Sequence, residues 1–293
     1  MDEAVHIGKS GAGRYGAAML QVVAEQRRIG RALKRLHGAL QGVPARGVRL
    51  TWRGGELRTT LHWARDDGFW WAIAPRHTRD ALVLGHAPLP PTKRESVTCE
   101  INLPRAGADR KVAGIVAEDE AGTLYLAHSG RLGGARPGHG LTAFRDFLSD
   151  GVWRPVRWPD GETTEALIVA PLDSPRLTRL LGRFVESVRR FKSGGAPVLQ
   201  TALCVEPETR GSIAAACDRR LVDGALYEEL AKRGLFGGTP DLFSRGGDRP
   251  RPLFALIAEG APDDVALAVG TLSLAAARQG PEVRPILVAP GAL

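Results

Sequence analysis

Ser129-Gly130-Arg131-Leu132-Gly133-Gly134-Ala135-Arg136-Pro137-Gly138-His139-Gly140 is the run whose residue types could do the most chemistry. Glycines let backbone N–H groups approach an anion closely, and the guanidinium forks of Arg131 and Arg136 can pair with it. The run lacks the Gly-Lys-Ser/Thr of a phosphate-binding loop and the GxGxxG of a dinucleotide fold, so a nucleotide cofactor is disfavoured. Nucleic acid phosphate, or a modified base, is the better ligand class. His128 precedes the run and His139 lies in it, while Arg105, Arg110 and Lys111 add cations upstream; all are read with Arg131 and Arg136 as candidate nucleic-acid contacts. No Cys, Asp or Glu at ligand spacing accompanies the two histidines, which argues against a metal there. The plainer alternative is a loop that needs glycine only for its conformation.

The elements expected to position this run are short strands. Alternation predicts strands over Val48–Trp52, Arg58–Trp63 and Phe69–Ile73, then Cys99–Pro104, Val112–Glu118 and Thr123–His128, with Asp119–Gly122 as a hairpin turn. A further hairpin is expected from Trp153–Trp158 and Glu165–Ala170 around Pro159-Asp160-Gly161. Trp52, Trp63, Trp70 and Trp71 fall on the first set, where they form either core or a stacking platform for bases. Spacing predicts one long helix from about Gly16 to Leu40, exposing Arg27, Arg28, Arg31, Lys34 and Arg35, and another from Ser174-Pro175 to about Lys192. The first stripe would suit a phosphate backbone, an acidic partner or simply solvent. Ser193–Pro197 reads as a linker. The expected division is a basic helix over 1–45, a basic β-rich nucleic-acid-binding domain over 46–192 and an α/β domain over 198–293.

Charge supports that division. The chain has 293 residues, 40 basic and 32 acidic, for a net charge of +8. Residues 196–293 hold 10 basic and 12 acidic side chains, which leaves 30 and 20 in residues 1–195. Phosphate-rich polymers should therefore favour the N-terminal two-thirds. Most basic residues are arginine, which suits phosphate recognition and is also what a GC-rich genome encodes. An apolar fraction of 43% supports a sizeable core, and 36 glycines and 20 prolines without a period favour many turns over a helix bundle. No apolar run is long enough for a membrane span and no signal peptide is visible, which points to the cytoplasm and away from membranes. Cys99, Cys204 and Cys217 lack disulfide or zinc spacing and read as buried thiols.

After residue 198 the expected order is helix, strand, strand, helix, strand: a helix over Ser212–Arg233, a hairpin of Pro240–Phe243 with Leu253–Ala258, a helix over Asp263–Arg278 and a strand over Arg284–Val288. Thr239-Pro240-Asp241-Leu242, the run Leu253–Ala261 and the helix holding Val269-Gly270-Thr271-Leu272 together resemble the PD-(D/E)XK restriction-nuclease family. The resemblance implies a nuclease-type α/β sandwich, giving an α+β chain with a β-rich centre and flanking helices. That family's chemistry requires two carboxylates on a divalent ion and a lysine near the attacking water. Asp241 matches, but Ala255 stands at the Glu position, Ile257 at the Lys position and Thr271 at the Gln position. A methyl group cannot bind magnesium, and Ile cannot polarise water.

The implied protein is a bacterial DNA-binding protein of restriction or defence type with a catalytically inactive nuclease-like domain and no cofactor. Glu100–Pro104 through Arg136 also resembles modules that accompany nuclease domains in bacterial restriction and phage-defence proteins. One alternative is an active Mg2+-dependent endonuclease using Asp241 and Glu259 as catalytic residues and metal ligands, with Glu228 or Glu229 as a further ligand. Another is a protein-interaction subunit of a defence complex. Double-stranded DNA is the expected partner; a second protein or a second copy of the chain is a further candidate.

Overall fold

The computed structural model describes residues 19–52, 55–93, 95–129, 140–148, 151–194, 213–232, 251–256, 269–270, 273 and 283–288. The chain is mixed α and β and rich in strands. Strands β1 (Leu20–Val22), β7 (Gly114–Glu118), β8 (Leu124–His128), β10 (Thr163–Pro171) and β9 (Trp153–Arg157) form, in that spatial order, a closed barrel. All neighbours are antiparallel except β1 and β9, whose parallel pairing of Leu20 with Val156 closes the ring. A register shift between Ile168 and Ala170 marks a bulge that bends β10 around the wall.

A second sheet, β2 (Val43–Trp52), β3 (Gly55–Ala64), β4 (Phe69–Pro75), β5 (Arg79–His86) and β6 (Cys99–Pro104), is an antiparallel meander in chain order. Its two faces serve different cores. Trp71, Leu82, Leu84, Cys99, Ile101 and Leu103 join the barrel interior and the helices in one large cluster. Trp70, Ala72, Ala74, Ala81 and Val83 face the other way and are buried with Val48, Leu50 and Leu61. β3 pairs with β4 only through His62, Trp63 and Ala64 but with β2 along its length, so the β2–β3 hairpin runs past β4 and curls over this outer layer. Gly85 permits the tightest contact in that layer: a Cβ there would lie 2.2 Å from Cε2 of Trp70, its cross-strand partner. Of the tryptophans that the alternation offered as a stacking platform, Trp70 and Trp71 are core, and Trp63 is partly buried against the outer layer with its indole N–H donated to the Ala87 carbonyl.

The long N-terminal helix expected over Gly16–Leu40 is corrected. Its first part is strand β1, and helix α1 covers only Gln26–Ala39. Leu20 and Val23 fall on the helical period, yet Leu20 is fully buried in the barrel, so pairing on both edges overrides the local pattern. α1 turns Ile29, Ala32, Leu33 and Leu36 inward. α2 (Leu141–Phe147) seats Phe144 against Trp153 and Phe191, and α3 (Leu177–Lys192) matches its expected span. β5 and α2 were not anticipated.

α4 (Ile213–Lys232) places Ile213, Cys217 and Leu221 in the same large core as the barrel, and Arg176 reaches Asp218 at 2.5 Å. The helix expected to open the C-terminal domain thus packs on the elements before residue 192. β11 (Arg251–Leu256) and β12 (Val283–Val288) appear where strands were expected, paired with each other in parallel, Ala255 opposite Leu287. The expected hairpin partner Pro240–Phe243 lies outside the described residues. Among the described residues, no helix is long and apolar enough to cross a membrane.

Candidate nucleic-acid interface

Four connections meet at one end of the barrel, here called the mouth. Gly114, the first residue of β7, pairs with His128, the last of β8, so the β6–β7 loop and the segment after β8 leave side by side. The Ser129 N–H donates to the Ala113 carbonyl at 2.8 Å. The Gly107 N–H donates to Ala24 at 2.9 Å, tying the β6–β7 loop to the β1–α1 connection, and Arg110 of that loop pairs with Asp160 and Glu162 in the β9–β10 turn. β10 pairs with β9 from Thr163 but with β8 only from Leu167 onward. The β9–β10 hairpin therefore stands four residues, roughly 13 Å, beyond the end of β8. α2 attaches to this projection through an Arg145–Glu165 ion pair.

Gly114 also fixes the meander to the barrel. A Cβ there would lie 2.5 Å from the Asn102 carbonyl and 2.5 Å from Ile101 Cγ2, so only glycine lets β6 and β7 approach this closely.

The expected contact residues divide by environment. His128 is 1% exposed, with the Phe184 ring 5.7 Å away, so it belongs to the interior and does not meet a polymer. Burial, with Lys192 adding a repulsive charge, pushes its pKa down to about 4, and the ring is neutral at physiological pH. Arg105 is committed to Asp80, donating from Nη2 at 2.7 Å and Nε at 3.2 Å. Arg110 lies 5.6 Å from the centroid of the Trp158 ring while it holds its two carboxylates. The Glu162 N–H first, with Arg110 adding, holds the Asp160 carboxyl below its usual range. Lys111 is exposed, and its ammonium has no ion-pair partner among the described residues. Arg131, Arg136 and His139, with the nuclease-type carboxylates Asp241 and Glu259, lie outside the described residues.

Two features of the mouth escaped sequence reasoning. The stack of Arg110 on Trp158 joins residues far apart in the chain, and nothing local announces it. The burial of His128 did have a signal, because it ends an otherwise apolar run, Leu124–Ala127, that is buried at every position. The thiols behave as read where they are described: Cys99 and Cys217 are buried and each is pushed up to about 12 by desolvation. Cys204 lies outside the described residues. Among the described residues, no group of three or more His, Cys, Asp or Glu could hold a metal ion. No protein-family model, no curated protein and no solved structure matches the chain.

Proposed function

We propose that the chain binds double-stranded DNA through the arginine- and glycine-rich segment at the barrel mouth, in a restriction or defence setting, and that its C-terminal part is a nuclease-type α/β sandwich that does not cut. The observation that carries the reading is the anchoring of this segment. It leaves a closed, rigid barrel at Ser129, clamped to Ala113, and re-enters at Gly140, whose carbonyl caps α2 by accepting the Phe144 N–H at 3.1 Å. Sites built on rigid elements hold their contact groups best. Arg105 and Arg110 are already neutralised by carboxylates. Lys111 is left as an unpaired cation of the mouth among the described residues, and Arg131 and Arg136 are the contacts proposed for the segment itself.

For the C-terminal part, support comes from a helix followed by a parallel strand pair, which needs a crossover such as residues 257–282 provide. Ala255, at the position of the missing carboxylate, lies on β11. The test is a gel-shift and cleavage assay on unmodified and modified duplexes, with magnesium, manganese or EDTA, at two salt concentrations. Binding that weakens with salt, falls with Arg131→Ala plus Arg136→Ala and leaves the DNA intact is the expected result. Absence of binding at low salt overturns the reading; metal-dependent cutting lost in Asp241→Ala replaces it with the active endonuclease.

A further inference from the structure

Helix α1 carries a line of cations that no carboxylate among the described residues pairs with. Among the described arginines, Arg28, Arg105, Arg110, Arg145, Arg176 and Arg189 are each held by a carboxylate. Arg27, Arg31 and Lys34 are exposed and have no ion-pair partner among the described residues. Their spacing of four and three places them on one face, opposite Ile29, Leu33 and Leu36, over about 10 Å of helix. The first turn contains no acidic residue, so Arg27 and Arg28 sit at the positive end of the helix, where local electrostatics disfavours them. Arg28 is relieved by Glu118; Arg27 has no such partner among the described residues.

The direction of α1 gives the line its meaning. The helix starts just after Ala24, whose carbonyl is bonded to Gly107 of the mouth. It ends at the opposite end of the barrel, where Arg35 lies 4.0 Å from Asp173 and the Gln41 N–H donates to Thr178. Asp173 belongs to that opposite end because the preceding residue, Leu172, bonds to Leu124 at the start of β8. The cationic line thus begins at the mouth and leads away from it along the barrel side, on a helix fixed at both ends.

We propose that Arg27, Arg31 and Lys34 form a second phosphate-contact line, along which the backbone of the duplex held at the mouth continues; this rests on the DNA-binding reading. A row of cations on a helix whose residues Gln26–Ala39 include no carboxylate, Glu25 standing only at the N-cap, fits a regularly spaced polyanion and carries no base selectivity. The test compares the full chain with the triple variant Arg27→Gln/Arg31→Gln/Lys34→Gln on a labelled duplex of about 20 base pairs, between about 50 and 200 mM salt. The slope of log affinity against log salt should become shallower by about 2.7, from three phosphates at about 0.9 each. The conservative variant Arg27→Lys/Arg31→Lys should keep the parent's slope, and all three proteins should give the same circular-dichroism spectrum. If the parent binds and the triple variant keeps its slope, the contact line is overturned and the mouth reading stands. If the parent binds no duplex even at the lowest salt, the DNA-binding reading itself falls and takes the line with it.

Discussion

Adding one methyl group at Gly85 tests the outer apolar layer of the meander. In Gly85→Ala the new Cβ would lie 2.2, 2.3 and 2.4 Å from Cε2, Cζ2 and Nε1 of Trp70, more than 1 Å inside ordinary contact. Trp70 has no exposed surface and is walled in by Leu50, Leu61 and Val83, so the ring cannot retreat without displacing the β2–β3 hairpin. Overpacking of this kind costs about 1–3 kcal/mol, and full ejection of the ring would approach the roughly 3–5 kcal/mol of a Trp→Ala truncation. Alanine returns only about 0.4–1 kcal/mol by restricting the unfolded chain. A net loss of about 2 kcal/mol is expected, lowering Tm by roughly 4–8 °C for a domain of this size. Calorimetry on the parent, Gly85→Ala, Trp70→Leu and the double variant closes a thermodynamic cycle. The clash predicts that Gly85→Ala costs almost nothing once Trp70 is leucine. A Gly85→Ala protein within about 0.5 kcal/mol of the parent, or losses that simply add in the double variant, would refute the packing described here.

Other expectations follow from single sites. Because folding holds His128 below its unfolded value, stability should be complete above about pH 6.5 and fall by about 3 kcal/mol as pH drops to about 4. His37 and His86, also lowered chiefly by burial, tilt the curve the same way, so the difference between the parent and His128→Leu in pH-dependent urea titrations isolates the His128 share. Gly30 is exposed within α1 and a Cβ there meets nothing within 4 Å, so Gly30→Ala should raise stability by about 0.5–1 kcal/mol in thermal melts. Tyr125 donates to Asp119 at 2.8 Å, and Tyr125→Phe should cost about 1 kcal/mol by the same measure.

Strands bounded by turn chemistry were legible in the sequence. The β3–β4 connection through Asp66-Asp67-Gly68, the β7–β8 hairpin and α3 all follow from alternation, glycine placement and helical spacing. β5 was not, because Ala81–Gly85 is buried on both faces and shows no alternation, while its interior glycine reads as a turn until the Trp70 ring above it is known. α2 is only seven residues long and follows a glycine-rich run that masks its start. Closure of the barrel is a non-local fact: β1 finds its partners near residues 117 and 156, and three residues carry no hint of them. At the candidate site the arginines could be named from composition, but their availability could not. That depends on carboxylates such as Asp80, Asp160 and Glu162, brought in by the fold.

The parallel seam between β1 and β9 also dictates an order of events as the chain is made. Leu20 emerges from a ribosome long before Val156, and until then β1 can pair only with β7 and its other edge stays open. The meander needs nothing beyond Pro104 for its strand pairing, so it is the first sheet that can assemble, while the barrel waits for its last wall. During that interval β1 is an unprotected edge carrying Leu20 and Val22, tethered by α1 to a nearly finished neighbour. Nascent chains halted shortly before β9 should therefore be the form most prone to pair with one another.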